Sequence, residues 1–116
     1  MKTFSITDAG AIREMNQDFY FSSDTAVGNL PNLFIVADGM GGHKAGDYAS
    51  RYTIERVVAS VSRNAGDEPV SIIKEAINKA NELWWLSLVR MKLSVEWYHL
   101  SRRNYYRKQA FCGQYR

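Results

Sequence analysis

The sequence predicts an α+β domain in which two amphipathic helices cover antiparallel strands. Three observations carry this expectation: short aromatic and β-branched segments early in the chain, an apolar run closed by Asp-Gly, and two stretches of helical periodicity directly after it. Lys2–Ile6 and Asp18–Ser22 are the early segments, and Leu33–Ala37 is the apolar run. All three are expected to be strands. Between the last two, Val27-Gly28-Asn29-Leu30-Pro31-Asn32 concentrates residues that supply a positive or a fixed φ, which suits a chain reversal and makes the pair a β-hairpin.

Ile54, Val57, Val58 and Val61 recur at i, i+3, i+4 and i+7, placing them on one face of a helix from about Ala45 to Arg63. Asn64-Ala65-Gly66 ends it. Asp67 is the expected N-cap of a second helix, with Pro69 in its first turn and Ile73, Ala76, Ile77 and Ala80 on its apolar face, reaching about Leu83. Each helix has one apolar stripe, so each needs a sheet to cover.

The chain has 116 residues, of which 46% are hydrophobic, enough for one small core. No run of about 18 uncharged apolar residues occurs, and the start lacks the apolar segment of a secretory signal. A cytoplasmic location is expected. The single cysteine, Cys112, cannot form an internal disulfide and belongs to no Cys/His cluster. The net charge of +3 conceals a division: residues 1–83 hold 8 Lys/Arg against 11 Asp/Glu, whereas residues 84–116 hold 7 against 1. All three tryptophans also follow Leu83. From Trp84 onward no sustained period is read, and no fold is expected of the tail.

Two constellations carry chemistry. The first is Asp38-Gly39-Met40-Gly41-Gly42-His43-Lys44-Ala45-Gly46, a carboxylate at the end of a buried strand followed by glycines that let the backbone approach a ligand. Hard cations such as Mg²⁺ and Mn²⁺ take oxygen ligands of this kind. A tight glycine turn with Asp38 as a helix cap reads equally from the residues alone. A nucleotide P-loop does not, because no Gly-Lys-Ser/Thr is present. The second constellation is Asp8-Ala9-Gly10, Arg13 and Asn16-Gln17-Asp18. Arg13 has the planar fork of donors that suits a phosphate, and Asp18 offers a further carboxylate to a metal; each is also an ordinary surface charge.

In this order, D-x-G-x-x-R-x-x-N-Q-D followed by LFIVADGMGGHKAGDYAS resembles the amino-terminal part of bacterial PPM (type 2C) metal-dependent serine/threonine protein phosphatases. The resemblance covers about residues 1–83 and implies a partial domain of that kind. It implies an incomplete α/β/β/α sandwich, antiparallel sheets flanked by helices, with two Mn²⁺ or Mg²⁺ ions that activate a water for attack on a phosphoserine or phosphothreonine. By the same resemblance Asp38 bridges the metals, Gly39 offers its carbonyl to one, Asp18 supports the metal site, and Arg13 binds the substrate phosphate. Asp38 and Asp18 are the catalytic residues so implied. The expected partner is a phosphoprotein, such as the target of a bacterial serine/threonine kinase, with neither nucleic acid nor membrane. Met40 stands where animal members carry a histidine, and His43 is not given that role.

The family's later aspartate motifs do not occur in these residues, so the ligand set is incomplete and little or no activity is expected. An inactive phosphoprotein-binding remnant is the alternative. A sheet without its second layer would also leave apolar surface exposed. Residues 84–116 are read as a basic, aromatic tail, out of frame and not a domain. Trp97-Tyr98-His99 requires TGG TAY CAY, which read one base later gives Gly followed by two positions that are each Thr or Ile. The other shifted frame permits Gly-Met just before it, the family's Gly-Met-Gly-Thr-Thr. The competing reading takes the tail as a genuine membrane- or nucleic-acid-binding segment. Sequencing the coding DNA decides between them. Shifting the frame near residue 83 and at Trp97 should restore Gly-Met-Gly-Thr-Thr, and a shifted translation lacking it removes the frameshift.

Overall fold

The computed structural model describes residues 3–5, 10–15, 18–39, 44–83, 89–100 and 105–115. Six strands form one sheet in sequence order: β1 (Thr3–Ser5), β2 (Ala11–Met15), β3 (Asp18–Ser23), β4 (Leu33–Gly39), β5 (Val89–Leu100) and β6 (Tyr105–Tyr115). Every neighbouring pair is antiparallel. Between β4 and β5 the chain leaves the sheet for α1 (Lys44–Arg63) and α2 (Pro69–Ala80). The fold is α+β, a helical layer over an antiparallel sheet: α1 lies across β3 and β4 and packs on α2.

The core follows from the two periodicities. Phe19 and Phe21 on β3 and Leu33, Ile35 and Ala37 on β4 are buried at alternate positions, meeting Ile54, Val57, Val58 and Val61 of α1. These are the α1 positions that the helical spacing picks out. Residues between them on the strands point the other way, and Met15 and Phe34 are 46% and 43% exposed on that face. Among the described residues no helix is long and apolar enough to cross a membrane.

The hairpin between β3 and β4 forms where the turn residues stand. Val27 and Leu30 exchange both backbone hydrogen bonds, at 2.9 and 3.0 Å, around Gly28-Asn29. Gly28 has a φ of +57°, and a Cβ there would collide with the Val61 carbonyl oxygen. The Asn29 side-chain amide then donates to the Gly66 carbonyl at 2.7 Å, tying the loop to the end of α1.

The structure differs from the sequence reading at β2, at both ends of α2 and in the tail. Ala11–Met15, for which no element is expected from sequence, is a strand, although Ala, Arg, Glu and Met favour helices; pairing with β1 on one side and β3 on the other overrides that preference. The cap of α2 is Glu68, not Asp67. Pro69 at the first helical position forces the residue before it into extended backbone, the conformation an N-cap needs, and Glu68 has φ −99° and ψ 114°. Its carboxylate accepts from the Ser71 hydroxyl at 2.8 Å and from the Ser71 and Val70 amides at 2.9 and 3.3 Å, which holds its pKa below the usual range. α2 itself stops at Ala80 rather than Leu83, with Asn81 as its C-cap.

The tail contributes two strands, where no sustained period is read from sequence. Val89, Met91, Leu93 and Val95 are buried, while Arg90 and Lys92 are exposed, so β5 alternates with a period of two. The apolar run ahead of it, Trp84-Trp85-Leu86-Ser87-Leu88, hides this alternation and lies outside the described residues. β5 pairs with β4 from Gly39↔Val89 to Phe34↔Ser94. Asn32 extends the ladder with its side chain, donating to the Glu96 carbonyl at 2.6 Å and accepting from the Glu96 amide at 2.8 Å. If β5 belongs to the cooperative core, Leu93→Ala will lower the unfolding free energy in urea by about 2–5 kcal/mol. The exposed neighbour Lys92→Ala will shift it by no more than about 0.5 kcal/mol. Equal, negligible shifts for both would detach the tail from the fold.

Candidate functional site

Strand register decides which side chains meet. Asp18, the first residue of β3, lies directly opposite Asp38 near the end of β4. Directly opposed residues of an antiparallel pair have Cβ atoms about 4.5–5.5 Å apart on one face of the sheet, so the two carboxyl groups converge. Phe19 and Ala37, next along each strand, are buried beneath α1, which leaves both aspartates on the face away from the helices. On β2, Met15 is opposite Asp18 and Arg13 is opposite Tyr20. Arg13 is therefore on the same face, exposed and one row removed from the carboxylates.

Electrostatics mark the pair. Burial, the negative charge of Asp38 and a hydrogen bond to it together hold the Asp18 carboxyl above the usual aspartate range. Two carboxyl groups this close attract positive charge. Its donors are hard oxygens, which fit Mg²⁺ or Mn²⁺ as part of a ligand set completed by water and further groups. Among the described residues no group of three or more His, Cys, Asp or Glu could hold a metal ion. Two carboxylates alone fall short of such a group.

Gly39 takes part through its lack of a side chain. Facing the helices, a Cβ there would sit 2.5 Å from the carbonyl carbon and 2.6 Å from the carbonyl oxygen of Gly46 in the first turns of α1. Only glycine permits the end of β4 to lie flush against the helix that follows. This contact fixes the position of Asp38, one residue earlier. Asp8, Asn16, Gln17 and the turn Met40–His43 lie outside the described residues.

Sequence reasoning missed Arg90. It lies directly opposite Asp38 on β5, exposed, on the face that carries Arg13, Asp18 and Asp38. The signal was present in the alternation of Val89, Met91, Leu93 and Val95, which sets Arg90 on the other face.

The raised pKa has a definite sign in stability. The folded state holds the Asp18 proton more tightly than the unfolded chain does. The favourable contribution is complete below the unfolded pKa and lost as the pH rises through the folded one, leaving a like-charge pair at neutral pH. Asp18→Asn is thus expected to raise the unfolding free energy at pH 7 by about 1 kcal/mol or less. The gain should fade as the pH is lowered and the wild-type carboxyl takes up its proton, which it does above the usual aspartate range. Urea denaturation at several pH values measures this, and a variant less stable than wild type at pH 7 would contradict it.

Comparison with known proteins adds a local similarity. Over 54 residues, 47% of this chain, the sequence is 48% identical to a Streptococcus pyogenes serotype M6 protein that carries the provisional name protein phosphatase 2C-type. The chain spans about a fifth of that curated relative, 21% of its length. No family model matches, and no solved structure matches. The likeness to a type 2C phosphatase is one of sequence, over less than half of the chain.

Proposed function

We propose that this chain carries part of a metal-dependent serine/threonine phosphoprotein phosphatase of the PPM (type 2C) class, with Asp18 and Asp38 as its portion of the metal centre. The observation that carries the reading is the register Asp18↔Asp38, which sets two carboxylates side by side on one sheet face. The local identity to a protein named as a type 2C phosphatase supports the same assignment.

On this reading Asp18 and Asp38 would hold the cation and Arg13, on the same face, would take the substrate phosphate. When bound, Mn²⁺ or Mg²⁺ supplies Lewis acidity and lowers the pKa of a coordinated water, the chemistry that in-line displacement at phosphorus requires. The protein's part is positional. The Gly39–Gly46 contact holds Asp38, the β3–β4 register holds Asp18 against it, and β2 presents the guanidinium of Arg13. The open face with Met15 and Phe34 is where a second sheet of the class would pack, with the out-of-frame origin of residues 84–116 as part of the same proposal. Two carboxylates are too few to clamp two metals, so hydrolysis by the chain alone is expected to stay at background.

The purified chain, Mn²⁺ and a phosphothreonine peptide test this. Expected are Mn²⁺ binding that Asp38→Asn abolishes, peptide binding weakened by Arg13→Ala, and no phosphate release. Mn²⁺-dependent release of phosphate, lost in Asp38→Asn, would refute the inactivity. Failure to bind Mn²⁺ would refute the metal centre.

A further inference from the structure

The register that joins the two carboxylates places a cation beside them. Asp38 has Asp18 as its direct partner on β3 and Arg90 as its direct partner on β5. Two negative charges and one positive charge thus occupy consecutive positions of a single row across three strands. At a direct-partner spacing of about 5 Å, the carboxyl opposite lies within the length of an arginine stem. Arg13, on the same face, stands opposite Tyr20 in the adjoining row and is only a diagonal neighbour of Asp18. Lys92 lies in that adjoining row as well, opposite Val36. Arg90 is therefore the basic residue that stands directly opposite a member of the pair.

We propose that Arg90 is a resident counter-ion of the Asp18–Asp38 pair, which offsets their repulsion in the metal-free chain and competes with a divalent cation for the same oxygens. The inference rests on reading that pair as part of a metal centre. A cation entering the row must displace the guanidinium or remain beside it, and both lower its affinity. Arg90 is exposed, so the effect is modest and sensitive to salt.

Mn²⁺ titration of the full chain, followed by electron paramagnetic resonance, tests this in wild type, Arg90→Gln, Arg90→Lys, Arg90→Glu and Asp38→Asn. Arg90→Gln should bind Mn²⁺ about two- to fivefold more tightly, the range expected for one cross-strand charge pair. Arg90→Lys should stay near wild type. Arg90→Glu, which places a third carboxylate in the row, should gain about tenfold or more. Without metal, at low salt, Arg90→Gln should melt below wild type and converge with it at about 1 M salt, where charges are screened within a few ångströms. Wild-type Mn²⁺ binding that Asp38→Asn removes but that the Gln and Glu variants leave unaltered would overturn the counter-ion and keep the metal centre. No Mn²⁺ binding in any variant would overturn both, and an Arg90→Gln melting point equal to wild type at low salt would overturn the counter-ion on its own.

Discussion

The antiparallel register of β3 against β4 is the constraint on which the remaining features depend. With Phe19 opposite Ala37 and Phe21 opposite Ile35, the apolar set of both strands turns under α1. The intervening set, Asp18 and Asp38 included, then turns outward. Side chains alternate with a period of two, so a slip of one residue would exchange these sets and bury charge beneath the helix. One arrangement therefore secures both the core and the carboxylate pair. It also exacts a cost, because the hydrophobic alternation that fixes the register holds two like charges at direct-partner spacing.

The helix that follows has its own coupling to the site. α1 is anchored by Ile54, Val57, Val58 and Val61 in the core, and its start is brought against the last residue of β4 by the Gly39–Gly46 contact. Any side chain at Gly39 would push these segments apart and move Asp38 with them. β5 closes the other flank of β4, with Met91 and Leu93 buried opposite Ala37 and Ile35 and with Arg90 next to Asp38. The acidic first part and the basic tail, which differ so much in composition, meet along this strand boundary.

Much of this could be read before the structure, where a local pattern had a single physical interpretation. The spacing of Ile54 to Val61 marks a helix face, Gly28 marks a turn that uses positive φ, and Leu33–Ala37, a short apolar run closed by Asp-Gly, reads as a buried strand. Asp38, Asp18 and Arg13 could be singled out, yet the face they share could not, because register is a property of paired strands. β2 escaped notice since its residues favour a helix until neighbours on both sides claim their backbone groups. The alternation in β5 was obscured by the apolar residues before it, and Arg90 with it. Pro69 could have identified Glu68 as the cap, through its steric demand on the preceding residue.

The central claim is that Asp18 and Asp38 meet across the β3–β4 register. Carboxyl-carbon NMR titration of Asp18, in the metal-free chain and in Asp38→Asn, tests it most directly. Asp18 should titrate above the usual aspartate range in wild type and move down toward it once the Asp38 charge is removed, the residual elevation reflecting burial. An Asp18 that titrates at its ordinary value in both proteins would contradict the pairing.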